Sequence, residues 1–168
     1  MPLPTIVVMG VSGCGKSTVG AALAARMGRA FVDADDLHPE ENRRLMAASI
    51  PLGDVQRWPW LRRVAGQIAQ WEQAGAPGVI ACSALKRSYR DYLRAQSGAS
   101  LLFVHLDPAE AVLASRLSCR TGHFMPPGLL ASQLEALERP DGTEAALVVT
   151  EEAGVDALCA MIEAGLSA

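Results

Sequence analysis

The segment "GVSGCGKST" (10–18) has the residue types and spacing that bind phosphate. Gly10, Gly15, Lys16 and Ser17 match the pattern G-x-x-x-x-G-K-[ST], between a β-branched run and an Ala-rich segment. Glycines allow backbone N–H groups to turn towards phosphate oxygens, and the N-terminus of the following helix adds its positive end. Lys16 is expected to contact the terminal phosphates of ATP, and the Ser17 hydroxyl to help hold Mg²⁺. The predicted ATP site consists of Gly10, Ser12, Gly13, Cys14, Gly15, Lys16, Ser17 and Thr18.

A second group of polar residues, "DADDLHPEEN" (33–42), follows an apolar run that predicts a strand over 30–35. Alternation along that strand places Asp33 and Asp35 on one side, at the carboxyl end where open parallel sheets bind ligands. Asp33 can order Mg²⁺, directly or through water, and Asp35 can accept a hydrogen bond from a hydroxyl about to be phosphorylated. The alternative is that both are capping or solvated acids. The guanine-nucleotide patterns N-K-x-D and D-x-x-G are absent, which favours a phosphotransferase over a switch.

The segment "SRLSCRTGHFMPPG" (115–128) is typical of a lid that keeps water away from a transferring phosphoryl group. Arg116 and Arg120 lie four residues apart on one helical face and can contact the same phosphates. Arg120 is the candidate for stabilising charge during transfer. His123 is a candidate contact for the acceptor. The alternatives are two solvated arginines and a packed or solvent-facing histidine.

Basic residues after the third predicted strand indicate an anionic acceptor. In "ACSALKRSYR" (81–90), Ser83 is predicted to cap a helix over 84–96. A helix N-terminus with nearby cations suits a carboxylate or a phosphate, although a basic solvent face would give the same pattern. The predicted acceptor-binding residues are Asp35, His38, Arg43, Lys86, Arg87, Arg90 and His123.

Alternating apolar runs and helical segments position these residues. We predict strands over 5–10, 30–35, 78–83, 101–107 and 145–150. Helices are predicted over 16–28, 84–96, 108–120, 126–138 and 155–166, with a longer one after Pro59 within 57–75 and one more opened by Pro39. This alternation predicts one α/β domain over 1–168, with a five-stranded parallel sheet, helices on both faces and a lid at about 115–128.

Composition excludes several classes of function. The 168 residues carry a net charge of −3 with a pI near 5.6, so no basic surface indicates nucleic-acid binding. No apolar run approaches a membrane span, and the first residues lack the pattern of a secretory signal, which predicts a cytoplasmic protein. Four cysteines without C-x-x-C spacing predict reduced and mostly buried thiols.

Five segments together resemble a bacterial gluconokinase, over about residues 5 to 150: "MGVSGCGKST", "DADDLHPEEN", "IPLGDVQRWPWL", "ACSALKRSYRDYLR" and "RTGHFMPPGLLASQLEALE". The resemblance implies a P-loop kinase fold like that of nucleoside monophosphate and shikimate kinases. It also implies ATP-dependent phosphorylation of gluconate to 6-phosphogluconate, and a homodimer. A shikimate kinase is expected to have a glycine triplet where this chain has Ala81–Cys82–Ser83–Ala84. A non-catalytic ATP-binding module would leave the paired aspartates and lid arginines unused.

Overall fold

A five-stranded parallel sheet organises the chain, in a computed structural model that describes residues 3–118 and 127–168, with only the backbone for Pro127. The strands are β1 Thr5–Met9, β2 Phe31–Asp33, β3 Val79–Ala81, β4 Leu101–Leu106 and β5 Ala146–Val149. Their order is β2-β3-β1-β4-β5, and every neighbouring pair is parallel. The predicted parallel sheet is thus confirmed, with β1 at its centre.

Helices cover both faces of this sheet. They are α1 Lys16–Met27, α2 Glu40–Ala47, α3 Asp54–Gln73, α4 Arg87–Ser97, α5 Glu110–Ser118, α6 Pro127–Ala136 and α7 Val155–Ser167. Alternate β1 side chains enter two separate cores: Ile6 and Val8 pack with residues of α1 and α7, whereas Val7 and Met9 pack with residues of α3 and α4. A continuous apolar run such as "TIVVM" suits a strand that is buried on both faces. The predicted three-layer arrangement is confirmed.

Three of the boundaries that differ from the sequence prediction change the position of a residue at the site. β2 ends at Asp33, and Ala34–Leu37 forms a short 3₁₀ helix. α3 begins at Asp54 and carries Pro59 inside it, rather than starting after that proline. α4 begins at Arg87 with Lys86 as its N-cap, and Ala84, between β3 and the helix, has a left-handed φ of 43°. Ser83 therefore does not cap α4.

The three cysteines among the described residues are buried, as predicted. Cys14, Cys82 and Cys159 are free and buried, and burial raises the pKa of the Cys82 thiol to about 12. Cys119 lies outside the described residues. Over 3–118 and 127–168, no helix combines the length and apolar character needed to cross a bilayer.

Candidate active site

The loop between β1 and α1 has the backbone of a phosphate cradle. Gly10, Gly13 and Gly15 have φ values of 148°, 84° and 95°, which other residues rarely adopt. A Cβ on Gly10 would come 2.6 Å from Cys14 Sγ and 2.8 Å from the Leu106 carbonyl oxygen, so no larger residue fits there. Gly15 caps α1 without any side-chain hydrogen bond, which leaves the first amides of the helix for a ligand. The loop therefore fits the phosphates of a nucleotide.

The structure brings the predicted magnesium residues together. The Ser17 hydroxyl donates a 2.6 Å hydrogen bond to Asp33 Oδ2. The other oxygen of Asp33 accepts the backbone N–H of Asp35 at 3.0 Å, which fixes the carboxylate at the end of β2. Mg²⁺ prefers oxygen ligands and keeps several waters when it binds with phosphates. A hydroxyl beside a carboxylate fits this ion; its binding here stays a prediction.

A cavity of about 140 Å³ lies beside the phosphate loop, and we name it the acceptor cavity after the role predicted for Asp35 and His38. Its polar lining is Ser12, Lys16, Asp35, His38, Arg57, Ser83, Ser132 and Gln133. Its apolar lining is Met46, Ile50, Pro51, Leu52, Trp60 and Leu129. The structure thus brings Lys16, Asp35 and His38 together, although Asp35 arrives there through the 3₁₀ helix and not through strand alternation. Within the loop itself, Cys14 is buried and Thr18 is exposed on the first turn of α1.

His38 is held against the wall of this cavity. Its ring stacks on Trp60 with a centroid separation of 4.4 Å and an interplanar angle of 14°. Trp60 is itself anchored, because its indole N–H donates to the Ala34 carbonyl at 2.7 Å. Burial, followed by the positive charges of Arg43 and Arg57, lowers the pKa of His38 to about 4. His38 is therefore a neutral imidazole at pH 7.

Arg57 is a cavity residue that the sequence analysis missed. Its partly buried side chain lines the cavity, and Nη1 donates to the Tyr89 hydroxyl at 3.3 Å. Burial and the Asp54 carboxylate raise the pKa of Tyr89, so that hydroxyl keeps its proton, donates to Asp54 and accepts from Arg57. A signal was present: Arg57, Trp60, Leu61 and Val64 have the i, i+3, i+4, i+7 spacing of one helical face. Starting the helix after Pro59 removed Arg57 from that face.

The cations of α4 do not form the predicted acceptor site. Arg90 is completely buried; its Nε and Nη2 donate to the Glu144 carboxylate at 2.8 and 2.9 Å. Its Nη1 donates to the carbonyls of Ala84 and Leu85 at 2.9 and 3.2 Å. With these donors engaged inside the protein, the prediction that Arg90 binds the acceptor is wrong.

Three other predicted cations also lie outside the lining of the cavity. Lys86 Nζ lies 3.2 Å from Asp54 Oδ1, in a shallow depression that it shares with Arg57. Arg87 is exposed and donates to Thr143 Oγ1 at 2.8 Å. Arg43 donates to the backbone carbonyls of Asp36 and His38, at 2.8 and 3.3 Å, so it supports the loop that carries Asp35.

Residues near the predicted lid contact the phosphate loop from two sides. Arg116 Nη1 lies 3.3 Å from the carbonyl oxygens of both Gly13 and Cys14. From α6, the Gln133 side-chain oxygen accepts the backbone N–H of Ser12 at 2.7 Å, a contact that the sequence analysis missed. The predicted contacts of Arg120 and His123 fall outside the described residues, and so does most of the predicted lid.

A phosphate loop after the central strand of a β2-β3-β1-β4-β5 parallel sheet, with an acceptor cavity beside it, defines the chain as a P-loop kinase. The model of the AAA domain family matches residues 6–140. The gluconokinase of Gluconobacter oxydans strain 621H is 46% identical over 147 residues, which cover 88% of this chain and 82% of that protein. The probable gluconokinase of Mus musculus is 42% identical over 173 residues, 94% of each chain.

A solved structure gives the same result. The crystal structure of a gluconokinase from Sinorhizobium meliloti 1021 matches with a TM-score of 0.89 and 47% identity, covering 99% of this chain and 93% of that chain. The chain belongs to the gluconokinase family.

Proposed function

We propose that this protein transfers the γ-phosphoryl group of ATP to gluconate and forms 6-phosphogluconate. The observation that carries the proposal is that Lys16, Asp35 and Arg57 line one and the same cavity. Such a cavity offers a cation for the transferring phosphate, a carboxylate for the acceptor hydroxyl and a guanidinium for an acidic group. Gluconate has both a hydroxyl and an acidic group, and membership of the gluconokinase family supports this substrate.

The phosphate end of the reaction is assigned to the loop. Its amides and Lys16 bind the phosphates, and Ser17 with Asp33 holds Mg²⁺, which when bound neutralises phosphate charge. The contact of Arg116 Nη1 with the Gly13 carbonyl of the loop supports assigning this residue to the same phosphates. The transition state of phosphoryl transfer is loose, so the protein contributes mainly positioning and electrostatic stabilisation. We therefore assign Asp35 the role of orienting the acceptor hydroxyl, with little demand on it as a base.

The acidic end of gluconate is assigned to Arg57. Among the described residues that line the cavity, Lys16 and Arg57 are the side chains with a positive charge at pH 7. Lys16 belongs to the phosphate loop, which leaves Arg57 for the carboxylate. A guanidinium can bind a carboxylate through two parallel hydrogen bonds. If Arg57 binds the carboxylate of gluconate and Asp35 binds a hydroxyl, the phosphoryl group goes to the primary hydroxyl, at the end of gluconate opposite the carboxylate.

The test compares gluconate, glucose and shikimate as acceptors, with kcat/KM measured at saturating Mg·ATP and the product identified by NMR. We expect gluconate to exceed glucose by several orders of magnitude, because glucose leaves Arg57 unpaired. Arg57→Met should lower kcat/KM for gluconate about a hundredfold and leave the low value for glucose unchanged. Arg62→Met, which removes the same charge from an exposed position of α3, is the matched control.

Two results would contradict the proposal in different ways. No turnover of gluconate by the unmodified protein would reject the reaction itself. Equal losses in Arg57→Met and Arg62→Met, or comparable values for glucose and gluconate, would reject only the placement of the carboxylate.

We further propose that the protein requires Mg²⁺, works in the cytoplasm where ATP is available, and forms a homodimer. These proposals rest on the family resemblance and on the chemistry of phosphoryl transfer. Titration of activity with Mg²⁺ after treatment with EDTA tests the first, and light scattering coupled to size-exclusion chromatography tests the last. The lid over 115–128, with Arg120 and His123 as its contact residues, remains part of this proposal.

A further inference from the structure

The amide group of Asn42 has a fixed orientation inside the protein. Asn42 lies on α2 and is 3% exposed. Its Nδ2 lies 2.8 Å from the backbone carbonyl oxygen of Gln56 and 3.2 Å from Nδ1 of His38. A backbone carbonyl can only accept hydrogen bonds, so the group facing Gln56 must be the NH₂ end of the amide. The Gln56 carbonyl, which can only accept, therefore fixes the orientation of the Asn42 amide.

This orientation determines the proton position on His38. An amide NH₂ has two hydrogens and acts only as a donor. One hydrogen points to the Gln56 carbonyl, and the other points to His38 Nδ1, which must then accept. A neutral imidazole that accepts at Nδ1 carries its proton on Nε2.

His38 Nε2 and the Asp35 carboxylate lie together at the acceptor cavity. The distance from Nε2 to Asp35 Oδ1 is 4.0 Å, too long for a direct hydrogen bond. A hydroxyl placed between them can accept from Nε2–H and donate to the carboxylate at the same time. We propose that Asn42 is a positioning residue that holds His38 in the Nε2–H tautomer, so that His38 donates to the substrate hydroxyl bound at Asp35. The identity of that hydroxyl rests on the proposed function.

The groups around His38 keep its ring neutral, so its tautomer decides whether it can donate a hydrogen bond into the cavity. The charged groups that face His38 are Asp33 and Asp35 from the end of β2 and the 3₁₀ helix, Arg43 from α2 and Arg57 from α3. Burial and the two arginines outweigh Asp33 and keep the pKa of the ring near 4. Around neutral pH the ring is therefore uncharged, and a neutral ring has only one N–H. Whether that N–H faces the cavity depends on Asn42.

The first measurement is the ¹⁵N NMR spectrum of the histidine rings in the ligand-free protein at pH 7. The chain has three histidines, and the His38 signals are those that disappear in His38→Gln. We expect Nδ1 of His38 to show the shift of an unprotonated nitrogen and Nε2 that of a protonated one. A protonated Nδ1 would overturn the proposal. This result does not depend on gluconate turnover, so its failure is distinct from failure of the proposed function.

The second measurement is the pH dependence of Asn42→Asp. A carboxylate at this position accepts from Nδ1–H, which moves the ring proton away from Nε2 and raises the pKa of His38. At pH 8 we expect kcat/KM for gluconate to fall about tenfold to a hundredfold. Activity should recover as pH falls through the raised pKa, because the imidazolium again has an N–H at Nε2. The unmodified enzyme should lack this recovery. If kcat/KM of Asn42→Asp and of the unmodified enzyme changed in parallel with pH, the proposal would be overturned.

A double-mutant cycle separates this role from simple support of the fold. The side-chain NH₂ of His38→Gln can replace the Nε2–H donor without any tautomer to control. We therefore expect Asn42→Ala to lower kcat/KM in the natural background and to have little effect in the His38→Gln background. Equal losses in both backgrounds would mean that Asn42 only links α2 to Gln56, and would refute the tautomer role.

Discussion

The buried ion pair between Arg90 and Glu144 tests whether Arg90 stabilises the fold or binds the substrate. Arg90 lies on α4, and Glu144 lies just before β5. The Arg90 side chain is 0% exposed, and that of Glu144 is 2% exposed. Arg94 adds a third hydrogen bond to the same carboxylate at 3.1 Å. The perturbation is Glu144→Gln, which keeps the shape of the side chain but removes its charge.

The expected magnitude follows from this burial. Removing one partner of a buried ion pair costs about 3–5 kcal/mol, because the remaining charge stays buried without compensation. We expect the lower end, about 3 kcal/mol, because glutamine retains one acceptor oxygen and Arg94 is still partly exposed. For a chain of this size, each kcal/mol lowers Tm by about 2–4 °C, which gives a decrease of about 6–12 °C.

The pH dependence has a defined sign. Arg90 holds the pKa of the Glu144 carboxyl below its ordinary value of 4.5, against the opposing effect of burial. The pair therefore stabilises the fold above about pH 4.5, and this contribution is lost as pH falls through the lowered pKa. The difference in Tm between Glu144→Gln and the unmodified protein should be constant at pH 6–8 and decrease below pH 4.5.

The assay is thermal unfolding followed by circular dichroism, together with kcat/KM for gluconate at 25 °C. Glu163→Gln is the matched control, because Glu163 pairs with Arg26 at 2.6 Å on the exposed surface and its loss should change Tm little. An unchanged Tm in Glu144→Gln, combined with a large increase in KM for gluconate, would refute the reasoning. That result would indicate that Arg90 binds the acceptor, as the sequence analysis predicted.

Two further predictions concern the phosphate loop. Lys16→Met should abolish turnover while Tm stays nearly unchanged, because it removes a charge directed at the transferring phosphate without altering either core; turnover within tenfold of the unmodified enzyme would reject the assignment. Gln133→Ala should bind Mg·ATP about fivefold more tightly by calorimetry, because the Gln133 oxygen competes with phosphate for the Ser12 N–H. Weaker binding would instead mean that Gln133 contacts the nucleotide.

Much of the fold, together with the phosphate loop and the proximity of Ser17 to Asp33, could be predicted because the signals are local in sequence. Apolar β-branched runs predicted all five strands, and the glycine spacing predicted a loop whose φ values a larger residue would not tolerate. Ser17 and Asp33 could be paired in advance because Ser17 follows β1 and Asp33 ends β2, at the edge of one parallel sheet where the carboxyl ends meet. Asp35 lines the same cavity as Lys16, but a 3₁₀ helix and not the expected end of the strand carries it there.

The sequence alone predicts a phosphate loop after β1, because that loop is encoded within nine consecutive residues. The arginine that lines the cavity could be identified only from the folded structure. Arg57 and Arg90 look alike as arginines on amphipathic helices, but the partner of Arg90 is Glu144, 54 residues away. The tautomer of His38 likewise depends on Asn42 being held by the Gln56 carbonyl of another helix. A charge or a ring proton is assigned by the groups that surround it in space, and folding selects those groups from distant parts of the chain.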